Sequence, residues 1–297
     1  QTGTGAEGDK IVTQSEGFGY SVAADTAIGH HLETAGGVKL YVLPGTSGYN
    51  VKAFGAVGDG LTDDSAAIQS ALRHVGANAT LTIPAGTYVI TSTPEIPLST
   101  SFSFLDIVAY GATFEITGAI AGLARERPTD TATTYTNSRI SVRGLSVSGD
   151  NTANQHGFRF FTTYGLSLID CHATQCDTGY LIVFGLMSSL ERCFATNCAT
   201  YGFHFASGGS QIDLGSGPET ALTGGSPQNS NSNGSVARTC RVFAAAGSAA
   251  HFKAEACEME FTNCITEGHS ADNCFEYDNL GSTVSKGITI REPHVEC

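Results

Sequence analysis

Charged residues are scarce in this chain: they make up 14% of its 297 residues, where about a quarter is usual in soluble proteins. Basic residues are the scarcer kind, with 15 Lys and Arg against 28 Asp and Glu and a net charge of −13. Nucleic acids and anionic membrane surfaces require a basic face, so we expect neither as a partner. No apolar run approaches a transmembrane length, so we expect no membrane insertion.

A signal peptide is also missing from the first residues. Because the chain starts with Gln1, we expect that an initiator or an upstream segment has been removed. Long stretches of helical periodicity are absent too. Glycine is abundant instead, with 36 residues, as proteins rich in strands and turns require.

What the chain does contain is a repeat, since the pattern of Leu168–Val183 returns in Leu190–Phe205. The matched pairs at an offset of 22 residues are Leu168/Leu190, Cys171/Cys193 and Cys176/Cys198. A fixed period in this range is typical of a solenoid, in which each unit buries its apolar face against the next. The short apolar runs broken by Gly, Asn, Asp and Thr predict strands and turns. We therefore predict an all-β, single-stranded parallel β-helix.

The nine cysteines are an odd number, which does not suggest a disulfide framework. One interpretation is a four-cysteine zinc site built from the two Cys-x4-Cys pairs. The other is a ladder of inward thiols on successive coils, formed by Cys171, Cys193, Cys240 and Cys264. The ladder is favoured because the flanking residues repeat as well, so we expect no metal and no cofactor. Reduced thiols indicate assembly in a cytosol.

The segments Val51–Leu72 and Thr82–Tyr88 resemble the opening motif of the pectate-lyase superfamily. The resemblance implies a right-handed, pectin-lyase-like β-helix whose first coil is covered by a short α-helix. Thr62 is a plausible N-cap for that helix, with Asp63 and Asp64 in its first turn. Ile68, Ala71, Leu72 and Val75 would form its buried face.

The chain divides into three predicted regions. Residues 1–48 form an N-terminal arm, extended over Gln1–Tyr20 and with a strand at Val38–Leu43, which serves either as a virion-attachment segment or as a disordered leader. Residues 49–92 contain the capping helix and the first coil. Residues 93–297 form the β-helix, with a loop insertion at 207–236. That loop either lines a binding groove or is a mobile surface insertion.

Alternation of inward and outward side chains predicts two outward columns. One contains Ile169, Glu191, Arg238 and Thr262, and the other contains Arg159, Ile182, His204 and His251, with Glu276 as a further candidate. Glycoside hydrolysis uses two carboxylates about 5–9.5 Å apart. The candidate catalytic residues are Glu191, Asp213, Glu219 and Glu260, and the candidate substrate-binding residues are Arg159, His204, Arg238 and His251. A dense acidic cluster for the calcium ion of a lyase is missing, which favours hydrolysis.

The resemblance also implies a function, because β-helices of this kind are common in bacteriophage tailspikes and polysaccharide depolymerases. We expect a tailspike-like homotrimer, assembled in the host cytoplasm and carried on the virion tail. Its arm would attach to the phage tail or baseplate. It would bind and hydrolyse a bacterial surface polysaccharide, either O-antigen or capsule. The alternatives are a non-catalytic adhesive or structural virion appendage and a free carbohydrate-active enzyme.

Overall fold

The computed structural model describes residues 5–75, 78–97, 104–125, 139–206, 211–213, 218–220, 233–243, 250–255, 258–268, 273–278 and 287–295. Three long parallel sheets of nine, nine and seven strands run along these residues, and successive coils of the chain add strands to each sheet in turn. This arrangement confirms the predicted parallel β-helix. The lateral hydrogen bonds between coils satisfy the backbone of every inner strand.

In each sheet, the strands of successive coils lie side by side. The first sheet contains Tyr49–Asn50, Ala79–Thr82, Phe104–Val108, Arg139–Arg143, Ser167–Ile169, Ser189–Glu191, Asn233–Arg238, Glu258–Thr262 and Ile288–Arg291. The second contains Asp59–Asp63, Gly86–Ile90, Ala112–Ile116, Ser146–Ser148, His172–Thr174, Phe194–Thr196, Arg241–Phe243, Ile265–Glu267 and His294–Val295. The third contains Glu95–Ile96, Ala121–Arg125, His156–Phe161, Thr178–Val183, Tyr201–Ala206, Ala250–Glu255 and Asn273–Asp278.

The N-terminal region contains more structure than an extended arm. Its strands Lys10–Val12, Gly19–Val22, Leu32–Glu33 and Lys39–Val42 form an antiparallel sheet. The last of these confirms the strand predicted at 38–43. The alternation of buried Tyr20, Val22, Leu40 and Val42 with half-buried neighbours lets the sheet pack on the first coil. The Tyr20 hydroxyl donates a hydrogen bond of 3.0 Å to the carbonyl of Ala53.

The α-helix covers the first coil as expected, but it begins later than predicted. It spans Ser65–His74, follows a 3-10 turn at Val51–Phe54, and has Asp64 rather than Thr62 at its N-cap position. Thr62 lies in the strand Asp59–Asp63. Asp63 accepts a hydrogen bond of 3.0 Å from the Ser65 amide. The buried face is as predicted, since Ile68, Ala71, Leu72 and Val75 are at most 1% exposed.

The interior of the β-helix consists of stacked identical or similar side chains. The predicted ladder of Cys171, Cys193, Cys240 and Cys264 is present, and all four thiols are buried and free of disulfides. Each thiol donates a hydrogen bond to a backbone carbonyl of the preceding coil. A second stack contains the rings of Phe158, Tyr180, Phe203, Phe252 and Phe275, with centroids 4.5–5.0 Å apart and nearly parallel planes. These stacks set the register of the coils.

The predicted loop insertion at 207–236 lies largely outside the described residues. Within it, Gln211–Asp213 and Pro218–Thr220 form an antiparallel pair, and the strand from Asn233 rejoins the first sheet. Among the described helices, none has the length and apolar character needed to cross a membrane.

Candidate active site

The eight predicted site residues lie in different parts of the molecule. Glu191 and Arg238 are neighbours on the outer face of the first sheet, in the predicted column from Ile169 to Thr262. Glu260 lies on the same sheet, one position along the strand from Phe261. Arg159 and His204 lie on the third sheet. Asp213 and Glu219 belong to the antiparallel pair, and their side chains lie outside the described structure.

On the first sheet, the predicted carboxylates are held in exposed ion pairs. Arg192 contacts Glu191 and also binds Asp170 at 2.6 Å. Its hydrogen bonds to Asp170 lower the pKa of that carboxyl group. Glu260 lies 3.2 Å from Arg291. Exposed pairs of this kind contribute little to stability, and these carboxylates lie on an open surface.

The second outward column differs from the prediction in two places. It contains Arg159, Leu181, His204, Lys253 and Glu276, one on each successive coil. Ile182 and His251, predicted for it, are fully buried. The reason is the inner aromatic stack: Tyr180 and Phe252 lie inward beside Phe203, which turns the residue after each of them outward. Glu276, left open by the sequence, is in the column.

Four polar side chains meet around Lys253. Its ammonium group lies 3.3 Å from a carboxylate oxygen of Glu255 and 3.3 Å from one of Glu276. The hydroxyl of Tyr201 is 3.4 Å away, and the Tyr201 ring centroid is 5.2 Å away. His204 Nε2 lies 2.9 Å from the same oxygen of Glu255. We call these five residues, Tyr201, His204, Lys253, Glu255 and Glu276, the third-sheet cluster.

The two carboxylates of the third-sheet cluster have different surroundings. The side chain of Glu255 is 7% exposed and is contacted by both His204 and Lys253. The side chain of Glu276 is 31% exposed and contacts Lys253. Burial opposes the charge of Lys253, but Glu255, Tyr201 and Glu276 outweigh it and raise the pKa of Lys253. Lys253 is therefore a fixed cation and not a proton acceptor at neutral pH.

A cleft of about 180 Å³ is lined by Tyr201, His204, Lys253 and Glu255 of this cluster and also by Asn154, His156, Asp177 and Thr200. His156 is 3% exposed, and within the described residues neither of its ring nitrogens has a hydrogen-bond partner. Burial, Arg159 and His204 lower the pKa of His156 to about 3, so its imidazole is neutral at neutral pH. A neutral imidazole offers one donor and one acceptor. Both ring nitrogens are buried, so this polar pair lies beneath the surface of the cleft.

Asp177 is held in place in the lining of the cleft. One of its carboxylate oxygens accepts a hydrogen bond of 2.8 Å from the Asn154 amide, and the other accepts one from the Thr200 hydroxyl. Over the residues that the structure describes, no three His, Cys, Asp or Glu side chains converge in a way that could hold a metal ion. The side chains of the third-sheet cluster and of the cleft supply carboxylates, imidazoles, a phenol and a cation.

Sequence reasoning missed Lys253 and Glu255. The signal that could have found Lys253 is the aromatic residue that precedes each member of the outward column. It occurs as Phe158, Tyr180, Phe203, Phe252 and Phe275. Aligning the coils on these rings, rather than on glycine or histidine, places Lys253 beside His204.

Comparisons with known proteins agree with this architecture. The family model described as rhamnogalacturonase A/epimerase, pectate lyase-like, matches residues 48–103. Mannuronan C5-epimerase AlgE1 of Azotobacter vinelandii is 49% identical over 49 residues, which are 16% of this chain and 4% of that protein. The match therefore spans a small part of the curated relative and lies far short of its full length.

Solved structures are similar over most of the chain. The surface adhesin PfbA of Streptococcus pneumoniae has a TM-score of 0.57 at 14% identity, covering 84% of this chain and 72% of that one. The tailspike of Acinetobacter baumannii phage AM24 has a TM-score of 0.54 at 15% identity, covering 98% and 54%. The fold is that of phage tailspikes and pectate lyase-like β-helices. At these identities the similarity shows the fold alone.

Proposed function

We propose that this chain binds a bacterial surface polysaccharide, O-antigen or capsule, and hydrolyses its glycosidic bonds as part of a homotrimeric phage tailspike. In this proposal it belongs to the virion tail and is assembled in the host cytoplasm, with residues 1–48 attaching to the tail or baseplate. The tailspike fold supports the setting. A glycan-modifying enzyme of Pantoea stewartii, WceF, with a TM-score of 0.51 at 12% identity, shares this fold over 98% of this chain and 46% of that one.

The observation that carries the catalytic proposal is the pair of carboxylates held by one ammonium group. Because each lies 3.3 Å from Lys253 Nζ, their contacting oxygens are at most twice that distance, 6.6 Å, apart. Retaining glycosidases have carboxyl groups about 5–5.5 Å apart, and inverting enzymes about 6.5–9.5 Å. The upper limit at the third-sheet cluster therefore favours the retaining geometry.

The roles follow from the surroundings of the two groups. His204 and Lys253 both face Glu255 and stabilise its carboxylate, so Glu255 would act as the nucleophile at the anomeric carbon. Glu276 is more accessible and would protonate the leaving glycosidic oxygen. It would then deprotonate the water that breaks the glycosyl–Glu255 bond. Asp177, which lines the cleft, would hold a hydroxyl group of the bound sugar.

The test is the release of new reducing ends from purified host-surface polysaccharides. Glu255→Gln and Glu276→Gln are each expected to lower the rate by at least about 100-fold, because each removes one of the two groups that the mechanism needs. Matched controls are Glu191→Gln and Glu260→Gln, the predicted carboxylates of the first sheet. Loss of activity in the controls with full activity in the cluster variants would instead favour the first sheet. Loss of activity in neither pair would leave Asp213 and Glu219 as the candidates.

A second candidate activity is β-elimination by a lyase. It is favoured by the Tyr201 hydroxyl 3.4 Å from Lys253 Nζ. The Glu255 carboxylate would accept a carbon-bound proton of the sugar, Lys253 would stabilise the resulting anion, and the Tyr201 phenol would protonate the leaving glycosidic oxygen. Ultraviolet absorbance of the unsaturated product distinguishes elimination from hydrolysis. Binding of polysaccharide without either product would indicate an adhesive or structural appendage. Sedimentation equilibrium tests the homotrimer.

A further inference from the structure

A separate cleft of about 320 Å³ lies on the outer face of the second sheet, lined by His172, Phe194, Thr196, Arg241 and Phe243. We call it the second-sheet cleft. Phe194 is 40% exposed and Phe243 is 45% exposed. The outer face of this sheet is otherwise largely polar on the preceding coils, where the corresponding residues are Thr113, Ser146, Ser148 and Thr174. Two exposed phenyl rings on such a face are unexpected for a surface that only contacts water.

Polar groups alternate with these rings. Phe194 lies between His172 and Arg241 in one column, and Phe243 lies between Thr196 and Glu267 in the other. The His172 ring meets the Phe194 ring edge to face, with centroids 6.2 Å apart, and its Nε2 lies 3.0 Å from the Thr196 hydroxyl. Arg241 forms an ion pair with Glu267. The cleft therefore places hydrogen-bonding groups at the edges of two apolar platforms.

This chemistry suits one sugar residue better than a protein surface. A pyranose ring has an apolar C–H face that can lie on a phenyl ring and a rim of hydroxyl groups that can reach His172 and Arg241. Burial lowers the pKa of His172, so its neutral ring can serve hydroxyl groups. The volume is at the lower end of the usual range for small-molecule sites, about 300–1,000 Å³.

A second copy of this chain fits less well. A stable interface buries about 800 Å² on each partner and has an apolar centre. The exposed apolar surface here is two rings interrupted by a histidine and an Arg–Glu pair. We propose that the second-sheet cleft is an ancillary glycan-binding subsite, which holds one sugar residue of the polysaccharide and takes no part in its cleavage. The ligand class rests on the proposed function, but the site is distinct from the third-sheet cluster.

The test is a Phe194→Ala/Phe243→Ala double variant with Phe104→Ala as the matched control. Phe104 is also an exposed phenylalanine, 37% accessible, but it lies on the first sheet. The probes are purified bacterial capsular polysaccharides and O-antigens, with binding measured by isothermal titration calorimetry and folding by circular dichroism. We expect the double variant to lose at least about 10-fold in affinity, since stacking on aromatic rings supplies the binding. Phe104→Ala should bind like the wild type.

Measuring the rate of cleavage distinguishes the failure of this subsite from the failure of the proposed function. With a short oligosaccharide at saturating concentration, the double variant should keep the wild-type turnover, while Glu255→Gln should lose turnover and still bind polysaccharide. Unchanged affinity in the folded double variant would overturn the subsite and leave the third-sheet cluster untouched. A changed sedimentation coefficient with unchanged affinity would overturn it in favour of an interface between copies. No binding of any probe by the wild type would overturn both proposals.

Discussion

Removal of one ring from the inner aromatic stack should destabilise the whole β-helix. Phe203 is fully buried and stacks on Tyr180 at 4.5 Å and on Phe252 at 4.9 Å. Truncation of such a ring costs about 3–5 kcal/mol, from the lost burial and from the cavity that remains. The two stacking contacts account for about 0.5–1.5 kcal/mol each. We therefore expect Phe203→Ala to lower the free energy of unfolding by about 4 kcal/mol.

The assay is guanidinium unfolding followed by far-ultraviolet circular dichroism, because the chain has no tryptophan. Phe203→Leu, which keeps most of the volume, should cost about 1–2 kcal/mol. Phe104→Ala, at an exposed position, should change the free energy by less than about 1 kcal/mol. A loss below about 1 kcal/mol in Phe203→Ala would refute the reasoning, because it would mean that Phe203 does not lie between neighbouring coils.

Three further changes test other parts of the structure, each measured by the same unfolding assay. Gly179→Ala should lower the free energy of unfolding by about 1–3 kcal/mol, because its Cβ would lie 2.7 Å from the Gly202 carbonyl oxygen. The control is Gly287→Ala, whose Cβ would have open space. It should lower the free energy by less than about 1 kcal/mol. Acidification should destabilise the protein through His156, whose pKa is about 3 in the folded protein and about 6.5 in an unfolded chain. The unfolded chain binds the extra proton in that window, so stability is lost as the pH falls from 6.5 towards 3. The loss is about 3 kcal/mol between pH 7 and pH 4, and a His156→Gln variant that kept the full pH dependence would contradict it. Asp64→Ala should lower the free energy of unfolding by about 3 kcal/mol, because the buried carboxylate accepts hydrogen bonds of 2.6 and 3.0 Å from the amides of Val57 and Gly58. A decrease of less than about 1 kcal/mol would show that these bonds are dispensable.

The sequence predicts the fold well because the coils repeat. Leu168 and Leu190 occupy equivalent positions, as do Cys171 and Cys193, so one offset predicts the stacking partner of each. A repeat in the sequence therefore indicates which residues of neighbouring coils are in contact, although they are far apart in the chain. The helix was predictable because the spacing of its apolar residues is a local pattern. Its N-cap was not, because Thr62 belongs to a strand that pairs with the next coil.

The candidate site was harder to predict because it depends on register between coils with different sequences. His251 and Lys253 both lie in the strand Ala250–Glu255. The alternation of inward and outward side chains alone allows either of them to face outward. The choice is made by Phe252, which stacks under Phe203 inside the β-helix and turns Lys253 outward. Glu255 was missed for another reason: it is buried, and only its contacts with His204 and Lys253 distinguish it from a structural carboxylate.

The N-terminal sheet shows a further limit. Lys10–Val12 and Gly19–Val22 are short strands in a segment rich in Gly, Thr and Ser, with too few apolar residues to predict an independent fold. They are stabilised by contacts distant in sequence, such as Tyr20 with Ala53. Local patterns do not contain that information.

The most direct test of the catalytic proposal is the position of a bound glycan. A crystal structure of the Glu255→Gln variant with an oligosaccharide from a polysaccharide that the wild-type protein cleaves would provide it. Our proposal predicts a sugar on the third sheet, with its glycosidic oxygen within hydrogen-bonding distance of Glu276. A glycan bound only across the first sheet, beside Glu191 and Arg238, would contradict it.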